Sequence, residues 1–324
     1  MNMNLYHIKE FMISNAILKR IDQKYSLIQK MRPLSPTLVR KLKEQFSLDM
    51  TYNSNAIEGN KLTLKETYLI INDGITVKGK SLKDHLEAKN HHDALHFLFD
   101  LIEHEKKHTL NERLIRSLQQ LIVKDIEDDD AGKYRQGNVI ITGSKHKPAP
   151  AYQVPQLMED LIIWIKKSEG KIHPVELAAK AHHKLVHIHP FTDGNGRTAR
   201  LFMNLILMQK GYPLVTILKN DRKKYYSALE KADAGNFADF GKFIAQAVER
   251  SINIYLKAIG SGSSKYESLV LLSGLAKSNP YSEKYLNLLA RSGKLEAHKE
   301  GRNWLSSQKA LNEYLANRIR KHKV

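Results

Sequence analysis

An all-α protein with one short β-hairpin and a small separate C-terminal module is the fold that the sequence predicts, and three observations carry it. Apolar residues recur at helical spacing, as in Leu114, Ile115, Leu118, Leu121 and Ile122, which marks a helix with one buried face. One stretch alone, Asn138-Val139-Ile140-Ile141-Thr142, carries a strong strand signal,. Ala258-Ile259-Gly260-Ser261-Gly262-Ser263-Ser264 reads as a flexible linker that sets the C-terminal end apart,.

A chain of 324 residues is long enough for a full core and for roughly two domains,. At 42% hydrophobic it is globular,. The absence of cysteine excludes disulfides, thiolate metal sites and a cysteine nucleophile,. The first residues show no charged stretch followed by an apolar one, and no apolar run approaches bilayer-spanning length, so a cytoplasmic protein with no membrane partner is expected,. A formal charge of +18 favours polyanions such as nucleotides or nucleic acid, or else serves only as a solubilising surface,.

Residues 1–43 are polar and helix-prone, are broken by Pro33 and Pro36, and are expected to pack outside the core. A helix follows from about Arg40 to Ile57. Gly59 suits the position just past its end, and Thr63 with Glu66 forms a capping box for the next helix,. Glu58 therefore sits in a last helical turn, facing the negative end of the macrodipole, at a cost of about 0.3–1 kcal/mol when exposed. Solvent or a cationic partner must offset that cost.

Two further helices are expected between Thr63 and His108. There His91, His92 and His96 can place only one pair on a face, which predicts a solvated or core-edge role,. Asn111 to Val123 is amphipathic, and Glu127-Asp128-Asp129-Asp130 reads as a solvated loop,. The strand at 138–142 ends at Gly143-Ser144, and Lys145-His146-Lys147 returns as the second arm of the hairpin. Pro155 and His173-Pro174 open two more helices. His182, His183 and His187 on the second of these read as packing residues. From Arg197 to Gln209 the chain is apolar nearly all round, as at the centre of a bundle, and Gly211 and Pro213 end that helix,.

Between these last two helices lies His187-Ile188-His189-Pro190-Phe191-Thr192-Asp193-Gly194-Asn195-Gly196-Arg197-Thr198-Ala199-Arg200. A Gly-rich loop opening a helix aims backbone N–H groups at an anion, and the helix N-terminus adds positive potential. Arg197 and Arg200, three residues apart, can face the same anion,. Asp193 offers a hard oxygen for Mg²⁺, and His189 is the candidate general base.

These residues match HPFxDGNGRxxR, the signature of the Fic family, at every fixed position, and the run from Leu201 to Pro213 also resembles the animal Fic adenylyltransferases. The resemblance covers roughly Asn53 to Ala258. It implies a Fic helical bundle that transfers AMP from ATP to a Ser, Thr or Tyr hydroxyl of a target protein, with Mg²⁺, or Mn²⁺ in its place, on Asp193. In that reading His189 is the catalytic base. Gly194, Asn195, Gly196, Arg197 and Arg200 hold the phosphates. The hairpin is the flap that binds the target segment by backbone pairing, and Gly143 and Ser144 touch ATP. Tyr225, Tyr226 and Asp233 belong to the segment that closes over adenine. Tyr225 and Tyr226 are adjacent and diverge by about 100° on a helix, so at most one can stack on the base. Asp233 stands where the animal relatives carry Asn, a departure that bears on selectivity for ATP, because a carboxylate can accept from the adenine amine but cannot donate to the ring.

Ser54-Asn55-Ala56-Ile57-Glu58-Gly59 resembles the family's inhibitory motif [ST]xxxE[GN]. By that resemblance Glu58 pairs with Arg200, and the chain belongs to the class with an inhibitory helix N-terminal to the core. Relatives with this glutamate can also remove AMP. Kinase-like relatives carry Lys where this chain has Gly196.

Beyond the linker, Tyr281 to Ala290 reads as a recognition-type helix. Ser292 to Leu305 reads as two strands about a turn, and Ser307 to Arg318 as a closing helix, an order that resembles a winged helix-turn-helix. From Ser261 onward 12 Lys and Arg face 5 Asp and Glu, a net +7 of the +18, leaving +11 elsewhere. DNA binding and a packing or dimerisation role are both open, because Glu283, Glu296 and Glu300 interrupt the basic face. The expected division is an N-terminal helical region 1–108 with the inhibitory helix at about 40–59, a Fic core 109–258, a linker 259–264 and a winged-helix-like domain 265–324. Expected partners are ATP, the target protein along the flap, DNA at the C-terminal module, and a second copy of the chain. The rival reading is a DNA-binding regulator with a nucleotide-sensing Fic core.

Overall fold

The computed structural model describes residues 13–104, 110–260, 270–277, 279–300 and 303–321. Helices α1 (Asn15–Lys30), α2 (Pro36–Ile57), α3 (Leu64–Asp73), α4 (Leu82–His104), α5 (Glu112–Val123), α6 (Val154–Ser168), α7 (Pro174–Ile188), α8 (Asn195–Gln209), α9 (Arg222–Asp233) and α10 (Ala238–Gly260) form a bundle. All but α3 contribute to one apolar core that runs from Ile13 to Leu256. The N-terminal region and the Fic core thus share this apolar core. Among the described residues no helix is long and apolar enough to cross a membrane.

At the centre stands α8, with Leu201, Phe202, Met203, Leu205, Ile206 and Leu207 all buried, as its all-round apolar sequence requires,. It lies against α7, α5, α4 and α2. The two flanking helices whose ends bear on the site have legible local causes. Ser35 caps α2 by accepting from Leu38 N–H, with Pro36 in the first turn,. At the other end Gly59, at φ 105°, closes a Schellman motif in which Gly59 N–H donates to the Ala56 carbonyl and Asn60 N–H to that of Asn55,. Glu58 is the cap residue of that end. The Thr63–Glu66 capping box forms in both directions,.

Contrary to expectation, α1 belongs to the core. Ile17, Leu18, Ile21 and Ile28 make a narrow buried stripe diluted by polar neighbours, and α1 packs on α10. The buried Glu249 of α10 locks this contact: Arg20 donates to it twice, at 2.6 and 2.8 Å, and Lys24 at 3.0 Å. Burial alone would raise the carboxyl, but Lys24 and Arg20 outweigh it and hold Glu249 at about 2,.

Helix α10 continues to Gly260, so the first residues assigned to the linker are helical, and the rest of it lies outside the described residues. The C-terminal module comprises β1 (Val270–Leu271), α11 (Leu272–Ala276), α12 (Glu283–Arg291), β2 (His298–Glu300), β3 (Asn303–Ser306) and α13 (Gln308–Lys321). Its three strands form an antiparallel sheet in the order β1-β3-β2, over a core of its own that includes Leu286, Leu289, Trp304 and Leu311. It sits on the bundle through Arg20 to the Gly293 carbonyl, Gln246 to the Ala290 carbonyl, and the ion pairs Lys24–Glu296 and Lys299–Asp221.

The hairpin at 138–147 is not formed. This segment is extended chain with a single turn, closed by Ser144 N–H on the Ile141 carbonyl, and its arms make no ladder. A lone two-stranded ribbon with no apolar face to bury is marginal, and Ile140 is 93% exposed.

Candidate active site

The loop from α7 to α8 is shaped by two left-handed residues. His189 caps α7 at φ 52°, and Gly194 precedes α8 at φ 81°. A side chain at Gly194 would meet Ile122 and Val123 at 3.1 and 3.2 Å, so both the turn and the close approach of α5 call for glycine. Asn195 was expected at the phosphates. Its side chain is instead buried and committed to the loop itself, accepting from Phe191 N–H at 2.9 Å and donating to the Phe191 carbonyl at 2.8 Å. It acts as a brace. Gln119 of α5 adds a second, donating to the Asp193 carbonyl and accepting from Gly132 N–H.

Arg135 is the third brace. Its backbone N–H bonds the Pro190 carbonyl, and its buried guanidinium donates to the carbonyls of His189, Gly137 and Ala149 at 2.8, 3.0 and 2.5 Å. His189 is thereby fixed in place at the root of the flap. Burial, with Arg135 and His146 nearby, pushes its imidazole down to about 4 against a smaller opposing effect of the Val186 carbonyl, so it is neutral at physiological pH and able to take a proton.

The two arginines of the loop are held differently. Arg197 reaches Asp193 at 3.2 Å and Glu87 of α4 at 3.2 Å. Arg200, fully buried, donates to the Ser54 hydroxyl and carbonyl at 2.9 Å each and to Glu58 at 2.7 Å. The expected Glu58–Arg200 pair is thus formed, and it supplies the cation that a carboxylate at a helix C-terminus needs. Burial opposes the charge on Arg200, but Glu58, Tyr225 and Tyr226 raise its pKa above the ordinary value,. Its Nη1 has no hydrogen-bond partner among the described residues. A Cβ at Gly196 would lie 2.3 Å from Glu58 Oε1. Any side chain there would evict the carboxylate, so Gly196 and Glu58 depend on each other.

On α9 the two tyrosines separate as helical geometry demands. Tyr225, assigned to the nucleotide, is core: it is 1% exposed and its hydroxyl bonds His182 at 3.1 Å. Tyr226 faces the site and donates to Glu58 at 3.3 Å. Asp233, expected beside adenine, accepts from His183 and His187 of α7 at 2.9 and 2.8 Å. Burial would raise its carboxyl, but these two partners hold it well below the ordinary range. His183 and His187 are therefore carboxylate partners, not packing residues. His91 is wholly buried against Thr51, not at the core edge. Gly143, at φ 78° with open space around it, and Ser144 form the exposed flap turn. Sequence reasoning missed Glu87 and Gln119, which carry no local signal, and assigned no role to Arg135.

Such an arrangement, a helix N-terminus with two buried arginines, a neutral histidine and a carboxylate in one loop, is a site for a phosphorylated ligand at a helical bundle's centre. Residues 109–207 match the Fic/DOC family. A Fic domain containing signaling protein from Bacteroides thetaiotaomicron has 31% identity and a TM-score of 0.70 over 76% of this chain and 99% of that one. Residues 134–508 of C. elegans Fic-1 have 33% identity and a TM-score of 0.69 over 76% of this chain and 74% of that one. The chain belongs to the Fic family. It is also similar to a protein adenylyltransferase Fic from Nematostella vectensis, 37% identical over 75% of this chain and 56% of the relative, and so spans about half the length of that curated relative.

Proposed function

We propose that the chain is a protein adenylyltransferase that Glu58 restrains. The observation that carries this reading is the double state of Arg200: one nitrogen is occupied by Glu58 at 2.7 Å while another, Nη1 beside Gly196, has no partner among the described residues. A buried guanidinium at a helix N-terminus with an unfilled donor suits a phosphoryl oxygen. A target hydroxyl oxygen attacks the α-phosphorus of ATP, a new O–P bond forms, the bond to the β-phosphate breaks and pyrophosphate leaves. His189 takes the hydroxyl proton. Arg197, Arg200 and the loop amides bind and orient the phosphates. Asp193, 39% exposed at its side chain, suits Mg²⁺, which binds through one or two carboxylates together with phosphates and water. When bound, that ion neutralises phosphate charge. Tyr226, the more exposed of the two tyrosines, stacks on the base in this reading, and the flap edge offers backbone to a target strand.

Incubation of the purified chain with α-labelled ATP and a protein acceptor, itself included, tests this directly. Label retained on protein through denaturation is the expected result, and nucleotide binding without a covalent adduct overturns it.

For the C-terminal module we infer a packing role. Its strand-and-helix order resembles that of a winged helix, but Lys299, Glu296 and the Gly293 carbonyl are spent on the bundle. Truncation after Gly260 should lower the thermal midpoint, and salt-sensitive binding of the full chain to duplex DNA would restore the nucleic-acid reading.

A further inference from the structure

Three elements bring metal-binding side chains together beside α9. His146 comes from the flap, His187 from the last turn of α7 and Asp233 from the end of α9, and one donor atom of each lies within 4.8 Å of the others. His187 Nδ1 is already 2.8 Å from Asp233 Oδ1. The rings of His146 and His187 lie 4.0 Å apart between centroids, and His146 Nε2 sits 2.7 Å from the His187 carbonyl. His183 Nε2 approaches the same carboxylate oxygen at 2.9 Å.

Structural roles account for this cluster poorly. One hydrogen bond would orient Asp233, yet two imidazoles converge on a single oxygen and a third approaches from the flap. Two imidazoles and a carboxylate are a donor set that zinc and its neighbours favour, with metal–ligand distances of about 2.0–2.2 Å and hence donors roughly 3.3 Å apart in a tetrahedral site. The His187–Asp233 pair is already near that spacing. From donor separations within 4.8 Å, a closing movement of His146 by up to about 1.5 Å completes it,. The half-buried setting leaves a fourth position to water or to His183, which otherwise donates to the carboxylate,.

We propose that His146, His187 and Asp233 bind a divalent transition metal of the zinc class and so tie the flap to α7 and α9. This site is separate from Asp193, shares no ligand with the phosphate loop, and does not depend on the adenylyltransferase reading. Binding displaces the proton between His187 Nδ1 and Asp233 Oδ1, and a neutral imidazole then carries its proton on Nε2, the tautomer that leaves Nδ1 free for the metal,.

The test uses the full chain, freed of metal by chelation, titrated with Zn²⁺ against a chromophoric chelator. We expect one tight equivalent. His146→Gln, shown to be folded by its thermal midpoint, should weaken it by about tenfold or more, as should Asp233→Asn. The His92→Gln, His96→Gln double variant should leave it unchanged, since that exposed pair, 3.2 Å apart, is the competing imidazole site. Co²⁺ in place of Zn²⁺ should show the intense visible absorption of four-coordination, absent in His146→Gln. No equivalent competing with the chelator, or an affinity unmoved by both His146→Gln and Asp233→Asn, overturns the proposal.

Discussion

The loop between α7 and α8 and the flap meet at Arg135 and are built in opposite ways. In the loop, Asn195 spends its whole amide on Phe191, Gln119 and Arg135 hold the backbone from two sides, and Gly194 fits against α5 with no room for a side chain. In the flap, Ile140 is 93% exposed and one turn hydrogen bond closes Ile141 to Ser144. Chemistry that tolerates errors of well under an ångström requires the first kind of construction. Recognition of an extended partner requires free backbone groups, which the second kind provides.

The largest effect expected on breaking the loop is chemical. His189→Ala should lower AMP transfer by about 10²- to 10⁴-fold with ATP affinity nearly intact, measured by label transfer beside a binding titration. Loss of the shared brace comes next. Arg135→Ala strands three carbonyls and should cost about 3 kcal/mol or more in a denaturant melt, with transfer falling alongside.

A third anchor tests whether buried ion pairs elsewhere behave like this brace. Glu249 has a depressed folded-state pKa, so its contribution to stability is complete above its unfolded value of about 4.3 and is lost as pH falls through about 2,. Between these values the wild type should lose more stability than Glu249→Gln, read from thermal midpoints at each pH. The smallest effect belongs to the flap: Ile140→Asp should move stability by no more than about 0.5 kcal/mol. A larger loss would mean that the flap is packed like the loop.

What the sequence discloses follows from how local each cause is. The Schellman end at Gly59, the capping box at Thr63 and the turn at Gly194 are all set by residues within a turn of one another, and all are legible. The core role of α1 is not, because four apolar residues among lysines and glutamines make a stripe that only α10 reveals. Nor is the fate of Asp233, whose partners His183 and His187 lie far along the chain on another helix. Asn195 shows a further limit: its position in the loop is readable, but whether its amide faces a ligand or its own backbone is decided in three dimensions. The flap reads as a strand because Val139, Ile140 and Ile141 favour extended chain, while a ladder needs a partner that the described residues do not supply.

The account turns on Glu58 and Arg200. Glu58→Gly removes the carboxylate 2.7 Å from Arg200 and opens the space beside Gly196. Label transfer from α-labelled ATP should be compared at equal concentration for wild type, Glu58→Gly and the Glu58→Gly, Arg200→Ala pair, each shown to be folded by its thermal midpoint. Transfer well above wild type in the single variant, about 10²-fold if phosphate misalignment is the restraint, and a return toward the wild-type level in the double variant are the predicted results. A folded Glu58→Gly that transfers no more AMP than wild type would contradict restraint by Glu58, and activation that persists without Arg200 would show that the glutamate acts by some other route.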